Sequence, residues 1–386
     1  MKNKKTKDKI ILIVSNCTWY LYNFRKELLR DLNEKGFKLI LLSPIDKYYL
    51  EISHLFSKKE NLFLVRGSEN PILEFITLLN LFFIYSKYKP DLVHHFTIKP
   101  CIYGGIISRI LGIKNTINHI TGLGPSFYSR RIKINILNKI LNPIYKFAFN
   151  NSSNNILNIF HNSSDRNTFF KKNITSLEQS IVIQGSGVNT DHYKKVASKK
   201  LLKKDIQILF PARIIKEKGI VELVNACNDL WYKNYKFTLN IAGEIDKQNK
   251  SHLNKGTIDN LLRSKNIIFH EKCNNMLEIY RNMDIVVLPS WREGLSKSIL
   301  EAAAMSIPII TTNVPGCNDI IEHGYSGLLV DVKNKDMIRE AIKIFLEDPK
   351  TAETLANNAR KTVVKKFKLE IINKKILKIY DKFLSQ

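Results

Sequence analysis

Short apolar runs alternate with segments of helical periodicity along most of the chain. IILIV at 10–14 is followed by the amphipathic stretch NFRKELLRDLNEKG, then KLILLSP and, later, DLVHHF. The pattern restarts beyond residue 200: IQILFPAR predicts a strand, KGIVELVNACNDLW a helix, FTLNIAG and NIIFH strands, MLEIYRNM a helix and DIVVLPS a strand. A helix through LEAAAM and the strands IPIITT and LLV complete the series. Strand, helix, strand in succession predicts parallel sheets with right-handed crossovers, hence an α/β chain of two Rossmann-like domains. The expected boundaries are 1–190, 191–365 and a C-terminal helix over 366–386 that packs across the hinge or on the first domain. GSGVNTDHYKKVASKKLLKKD, without strong periodicity, reads as the linker.

The length of 386 residues suits two domains, and 44% hydrophobic residues suffice for two cores. The apolar run near the N-terminus stops at Ser15 and Asn16 with no small-residue cleavage site, so it reads as a first strand rather than a signal peptide. FITLLNLFFIYSKYKP is shorter than the ~20 residues a membrane span needs. The five cysteines, at 17, 101, 227, 273 and 317, form no metal-ligand spacing and read as reduced thiols of a cytosolic protein.

Charge sharpens the picture. The formal net charge is +26, and no acidic residue occurs from Leu92 to Ser164. The first half is expected to meet something anionic: nucleic acid, anionic lipid or a diphosphate substrate.

In open parallel sheets, ligands lie beyond the carboxyl ends of the strands. There the second half carries Arg213 and Lys218 after one strand, Gly243 after the next, and WREGLSKS after a third. Arg and Lys together suit a diphosphate, although taken alone this pair reads as ordinary surface cations. Glu293 and Glu301, eight residues apart, shift that reading. A carboxylate accepts from vicinal hydroxyls, and Ser296 to Ser298 open a helix whose first amides suit a phosphate. Two diol acceptors flanking a phosphate site describe a nucleotide sugar.

PSWREGLSKSILEAAAMSIPIITTNVPGCNDIIEHGYSGLLV resembles the signature of the retaining family 4 glycosyltransferases. FPARIIKEKGI is similar to their Arg and Lys-Gly element, and IQGSGVNTDHY to their interdomain element. The resemblance implies the GT-B fold, two Rossmann-like domains facing across a cleft. By matching position it implies that Arg213 and Lys218 bind the donor diphosphate, that Glu301 binds the ribose and that Glu293 binds the donor sugar. The backbone at Leu295 and Ser296 joins the phosphate site, with Gly243 nearby. It also implies that no metal and no cofactor is needed beyond a UDP-sugar, and no Asp-x-Asp motif occurs. DLVHHFTIKPCIYGGIISRILGIKNTINHITGLG resembles the bacterial enzymes that extend polyprenyl-diphosphate-linked sugars for capsule, O-antigen or N-glycan assembly, with an N-acetylhexosamine as the implied sugar.

On the acceptor side the candidates are Asn16, Lys99, His119, Thr121 and Gly122. The chain departs from the family in lacking Gly-Gly in its first loop, VSNCTWYLYN, and in having Thr121 where many relatives have His. No general base is assigned. The basic first half is expected to hold the enzyme peripherally on the inner, anionic face of the bacterial cytoplasmic membrane. Charge is the expected anchor, since the apolar face of YSRRIKINILNKILNPIYKFAF reads as buried. Two rival readings are a UDP-sugar 2-epimerase of the same fold, which needs acid and base carboxylates that the acid-free stretch 92–164 makes scarce in the first half, and a basic nucleic-acid-binding protein. The latter needs a reading element or an aromatic platform, and neither is evident; no nucleic-acid partner is expected.

Overall fold

A computed structural model describes residues 9–68, 70–123, 132–150, 155–194, 205–246, 249, 251–271, 273 and 275–385, the stretch 132–140 by its backbone alone. The chain divides into two compact units, Met1–Ser186 with Ile372–Gln386, and Gly187–Ile371. The chain thus crosses between units near 186 and 371, a few residues from the expected 190 and 365. Of the expected linker, residues 195–204 lie outside the described residues.

The described residues of the first unit form seven parallel strands: β1 (Ile10–Ser15), β2 (Lys38–Ser43), β3 (Lys58–Asn61), β4 (Leu92–Phe96), β5 (Asn115–Ile120), β6 (Asn155–Phe160) and β7 (Ser180–Val182). Their order is β3-β2-β1-β4-β5-β6-β7. Among the described residues, six helices connect them: α1 (Thr18–Glu34), α2 (Tyr49–Ser53), α3 (Pro71–Tyr88), α4 (Ile98–Ile110), α5 (Ile132–Phe149) and α6 (Ser163–Lys171). The strands β1 and β2 are buried on both faces, which is why they read as continuous apolar runs rather than as alternation. On one face, Ile11, Ile13, Leu39 and Leu41 pack with Leu21, Leu28 and Leu29 of α1. On the other, Leu12, Val14, Ile40 and Leu42 pack with Leu81, Ile84 and Tyr85 of α3.

The second unit holds β8 (Ile206–Phe210), β9 (Phe237–Ala242), β10 (Ile267–His270), β11 (Ile285–Leu288), β12 (Ile309–Thr312) and β13 (Leu328–Val330), all parallel, in the order β10-β9-β8-β11-β12-β13. Its helices are α7 (Ile220–Tyr232), α8 (Lys255–Leu261), α9 (Met276–Arg281), α10 (Lys297–Ala304), α11 (Lys335–Glu347) and α12 (Pro349–Lys366). A last helix, α13 (Leu369–Leu384), returns to the first unit, where Ile372, Ile376, Tyr380, Phe383 and Leu384 join the α1 side of its core.

In each sheet the chain winds outward in one direction from the first strand and then in the other. The reversal lies between β1 and β4 in the first unit and between β8 and β11 in the second. At such a reversal neighbouring loops diverge to opposite faces and leave a crevice at the carboxyl ends of the strands.

Candidate active site

The second unit's reversal brings together three of the four charged residues expected at the donor. Arg213 follows β8, and Lys218 ends a short 3-10 turn over Lys216–Lys218. Gly219, at φ +74°, closes that turn, and a Cβ there would lie 2.1 Å from the Pro289 carbonyl oxygen. The β8 loop can therefore lie directly against the loop that follows β11 only because this position has no side chain. Lys218 Nζ is thereby within ion-pair contact of Glu293 Oε1. The same oxygen accepts from the fully buried Ser290 Oγ at 2.7 Å. Arg213 is paired with Asp246, from the loop after β9.

The Glu293 loop is held from its other side. Ser296 N donates to the Gly316 carbonyl at 3.1 Å, and Gly316, at φ +83°, passes so close that a Cβ would lie 2.6 Å from the Glu293 carbonyl oxygen. Ser296 then caps α10, its Oγ accepting from Ile299 N at 3.4 Å. Leu295 packs partly buried against the unit's core, leaving its backbone to shape the turn.

Glu301 lies one turn into α10 and is only 6% exposed. A buried carboxylate needs partners, and Lys297, one helical turn earlier, places its Nζ 3.6 Å from Glu301 Oε1. Tyr193 and Tyr280 stand beside it, edge to face at 6.2 Å between ring centres. Burial raises the phenol pKa of both above its ordinary value, and the neighbouring Glu301 charge and hydrogen bond push in the same direction. Both phenols therefore stay protonated and able to donate. Asp246, Ser290, Tyr193 and Tyr280 are site residues that the sequence reading missed. Gly243 has a packing role as placed: a Cβ would lie 2.1 Å from the Ala212 carbonyl oxygen, so the glycine lets the β9 end approach the Arg213 segment.

The acceptor-side candidates fare differently. Asn16 follows β1 at the first unit's reversal, and its Oδ1 accepts from Cys17 Sγ at 3.4 Å. Thr121 and Gly122 follow β5 and are half-buried, Gly122 at φ +153°. Lys99 does not present a free ammonium: Nζ donates to the carbonyls of Val65 and Ser68 at 3.0 and 2.8 Å and to Glu74 Oε1 at 2.7 Å. An ammonium has three donors and all are used, so Lys99 fastens α4 to α3 and the preceding loop. His119 is fully buried and offers no surface to an acceptor. These two placements correct the expectation for Lys99 and His119.

His119 belongs instead to a buried cationic cluster. Arg25 of α1 is 1% exposed; its Nη2 donates to His119 Nε2 at 2.9 Å and His161 Nε2 at 3.2 Å, and its Nε to Tyr20 Oη at 3.1 Å. The two Nε2 atoms also lie 3.2 Å from each other, and burial beside the Arg25 charge favours the neutral form of both imidazoles. The guanidinium lies over the rings of Phe96 and Tyr20, 5.4 and 5.8 Å from their centres, which offsets part of its desolvation. His94 pairs through Nδ1 with Tyr380 Oη of α13 at 2.6 Å. Burial, then the Arg25 charge, depress His94, His119 and His161 well below the usual imidazole range.

No group of three or more His, Cys, Asp or Glu among the described residues is arranged to hold a metal ion. No described helix is long and apolar enough to cross a membrane.

Comparison with known proteins bears on both units. Residues 181–362 match the family profile "Glycosyl transferases group 1", and residues 9–160 match "Glycosyl transferase 4-like". The chain is 27% identical over 382 residues to the N,N'-diacetylbacillosaminyl-diphospho-undecaprenol alpha-1,3-N-acetylgalactosaminyltransferase of Campylobacter jejuni, covering 94% of this chain and 96% of that one. It is 24% identical over 320 residues to the UDP-Gal:alpha-D-GlcNAc-diphosphoundecaprenol alpha-1,3-galactosyltransferase of Escherichia coli, covering 80% and 79%. Among solved structures, a glycosyltransferase of Rickettsia africae superimposes with a TM-score of 0.76 at 20% identity, over 98% of this chain and 99% of that one. The Anabaena protein HepE, solved with UDP and glucose, gives 0.74 at 17%, over 97% and 100%. These likenesses establish the fold.

Proposed function

Because the chain is a glycosyltransferase, with a group 1 domain over its second half and a 4-like domain over its first, we propose that it moves a sugar from a UDP-sugar to a polyprenyl-diphosphate-linked saccharide, with retention at the anomeric carbon. The observation that carries this reading is the meeting of Lys218 and Glu293 at the reversal between β8 and β11, inside the group 1 domain. Arg213 and Lys218 supply the cations for the donor diphosphate, Glu301 the ribose acceptor, and Glu293 the acceptor for hydroxyls of the donor sugar. The acceptor class is supported by the activities of the Campylobacter and Escherichia relatives, both of which act on undecaprenyl-diphosphate-linked sugars; the second uses UDP-galactose.

Transfer breaks the bond between the anomeric carbon and the diphosphate, so negative charge grows on the leaving oxygen. A cation already fixed beside that oxygen stabilises the transition state more than the ground state, and this is electrostatic rather than proton-transfer catalysis. Lys218 is so fixed, by Glu293 on one side and by the Gly219 turn on the other. Glu293 then has two tasks, orienting the lysine and meeting the sugar. The reaction proceeds without a metal or cofactor in this reading, and the enzyme works at the anionic inner face of the bacterial cytoplasmic membrane, where the acid-free stretch 92–164 favours attachment.

The test is release of UDP from a panel of UDP-sugars with and without a polyprenyl-diphosphate-linked saccharide. Acceptor-dependent release, with the product retaining the anomeric configuration, is the expected result. Conversion of the UDP-sugar to its 2-epimer, independent of any acceptor, would replace this reading by the epimerase.

A further inference from the structure

The apolar run that is too short to cross a membrane forms α3, and only one face of it is buried. Thr77, Leu81, Ile84 and Tyr85 face the first unit's core. Ile72, Phe75, Ile76, Leu79 and Phe83 are 39–70% exposed, with Phe83 at 65% and Phe75 at 58%. At the helical increment these five fall within an arc of about 100°, opposite the buried four. An exposed stripe of two phenylalanines, two isoleucines and a leucine on one helix is not ordinary surface.

Its electrostatic setting is one-sided. Among the described side chains, the layer formed by α3, α4 and α5 carries Lys87, Lys99, Arg109 and Lys146 against a single acid, Glu74. That acid is neutralised by Lys99 at 2.7 Å, and at the far end of α3 Lys87 neutralises Glu60 at 2.8 Å. Further along the same layer Ile110, Ile144 and Phe147 are exposed, and the Arg109 guanidinium lies 4.3 Å from the centre of the Phe147 ring. Apolar side chains at helical spacing, bordered by cations and without an uncompensated carboxylate, match an anionic bilayer surface. The chains below the headgroups take the apolar stripe, and the headgroups take the cations outside these carboxylate pairs, Arg109 and Lys146.

We infer that α3 is the element by which the first unit enters the membrane, with the Ile72–Phe83 stripe seated below the headgroups of anionic lipid. This rests on the reading that the enzyme works at such a surface, and it changes the anchor from charge alone to charge plus apolar insertion. The short span of α3 is then suited to lying in the interface.

The experiment uses the full chain and vesicles of phosphatidylcholine with and without phosphatidylglycerol, with partition read by co-flotation. The double variant Phe75→Ser, Phe83→Ser should bind phosphatidylglycerol vesicles about 100-fold more weakly, roughly tenfold for each side chain. Its melting temperature and UDP affinity should match the parent's, because both rings are exposed. High salt should weaken binding of the parent and abolish that of the variant. A Phe83→Trp variant should show vesicle-dependent quenching by lipids labelled near the headgroup. Equal partition of parent and double variant overturns the assignment of α3 while leaving membrane attachment intact. No partition of the parent at all, alongside normal transfer to a detergent-solubilised acceptor, overturns both α3 insertion and the membrane reading. A parent dimer that the double variant dissociates, with vesicle binding unchanged, assigns the stripe to a second copy and overturns the proposal.

Discussion

Lys218 and Glu293, contributed by loops after different strands, form one ion pair, and Glu293 shares the same oxygen with Ser290. The proposed diphosphate and sugar contacts are therefore coupled. Glu293→Gln removes the charge opposite Lys218 and should leave UDP affinity equal or a few-fold tighter while lowering turnover about 100-fold or more. Lys218→Ala should weaken UDP binding. Titration of UDP against both single variants and the double variant should give a coupling energy of about 1–2 kcal/mol. Additive losses would separate the two residues.

Glu301 is buried against Lys297, Tyr193 and Tyr280, as a fixed hydrogen-bond acceptor should be. Glu301→Gln should weaken every UDP-sugar and free UDP alike, by roughly 1.5–3 kcal/mol, because the ribose is common to them. Tyr193→Phe should cost less, about 0.5–1.5 kcal/mol. Undiminished affinity of Glu301→Gln for UDP would remove the ribose from its assignment.

Gly219→Ala should damage both stability and turnover. Its φ of +74° costs an alanine about 1–2 kcal/mol before the contact with Pro289 is counted, and relief of that contact moves Lys218 away from Glu293. Gly324, at φ +72° with open space around the Cβ position, is the matched control: Gly324→Ala should lose stability and keep turnover. Thermal melts and initial rates on both variants decide the point.

The buried histidines set an acid limit. His94, His119 and His161 are depressed in the folded protein, and His95 is pushed down to about 4, in each case chiefly by burial. The unfolded chain binds protons near pH 6.5, before the folded chain does, so stability is full above that pH and falls as the pH drops below it. The slope reaches up to about 1.4 kcal/mol per pH unit for each histidine. Melting temperature followed from about pH 8 to pH 5 should be flat and then drop. Arg25→Met should make the drop shallower, because the Arg25 charge is the second cause of depression at three of the four. An unchanged acid slope in that variant would assign the whole effect to burial.

Metal independence is tested by chelation. Turnover should be the same in EDTA as in added Mg2+, and loss of activity in EDTA that Mg2+ restores would introduce a metal that the proposed chemistry omits.

The strands that emerge from apolar runs, such as β1, β2, β8 and β11, were legible in the sequence. The edge strand β3, KKEN, was not, nor were β5 and β6, NTINHI and NILNIF. β3 is polar because it is exposed, whereas Asn118 of β5 and Asn158 of β6 are buried in a side-chain relay that hydropathy cannot reveal. Tyr85 Oη meets His95 Nε2 at 2.8 Å, His95 Nδ1 meets Asn118 Oδ1 at 2.7 Å, and Asn118 Nδ2 donates to Asn158 Oδ1 at 2.9 Å. Room for it comes from Gly104, where a Cβ would lie 2.2 Å from His95 Nε2. The same blindness explains the site. Glu293, Glu301, Arg213 and Lys218 stand in motifs, and so does Tyr193, at the end of IQGSGVNTDHY, but its place beside Glu301, like that of Asp246 beside Arg213, is a contact across loops that spacing along a chain does not encode. Lys99 shows the converse, since a basic stretch without acids looked open to an acceptor, but the acid that claims Lys99 lies 25 residues earlier in α3.

The return of α13 to the first unit makes the second unit, in topological terms, an insertion within the first. During synthesis the second unit, Gly187–Ile371, has all its strands before the segment carrying Ile372, Ile376 and Tyr380 leaves the ribosome. Until then the α1 side of the first core lacks those side chains and His94 lacks Tyr380. The unit that begins first is completed last, so a chain truncated anywhere in 187–371 leaves the first unit with an open core.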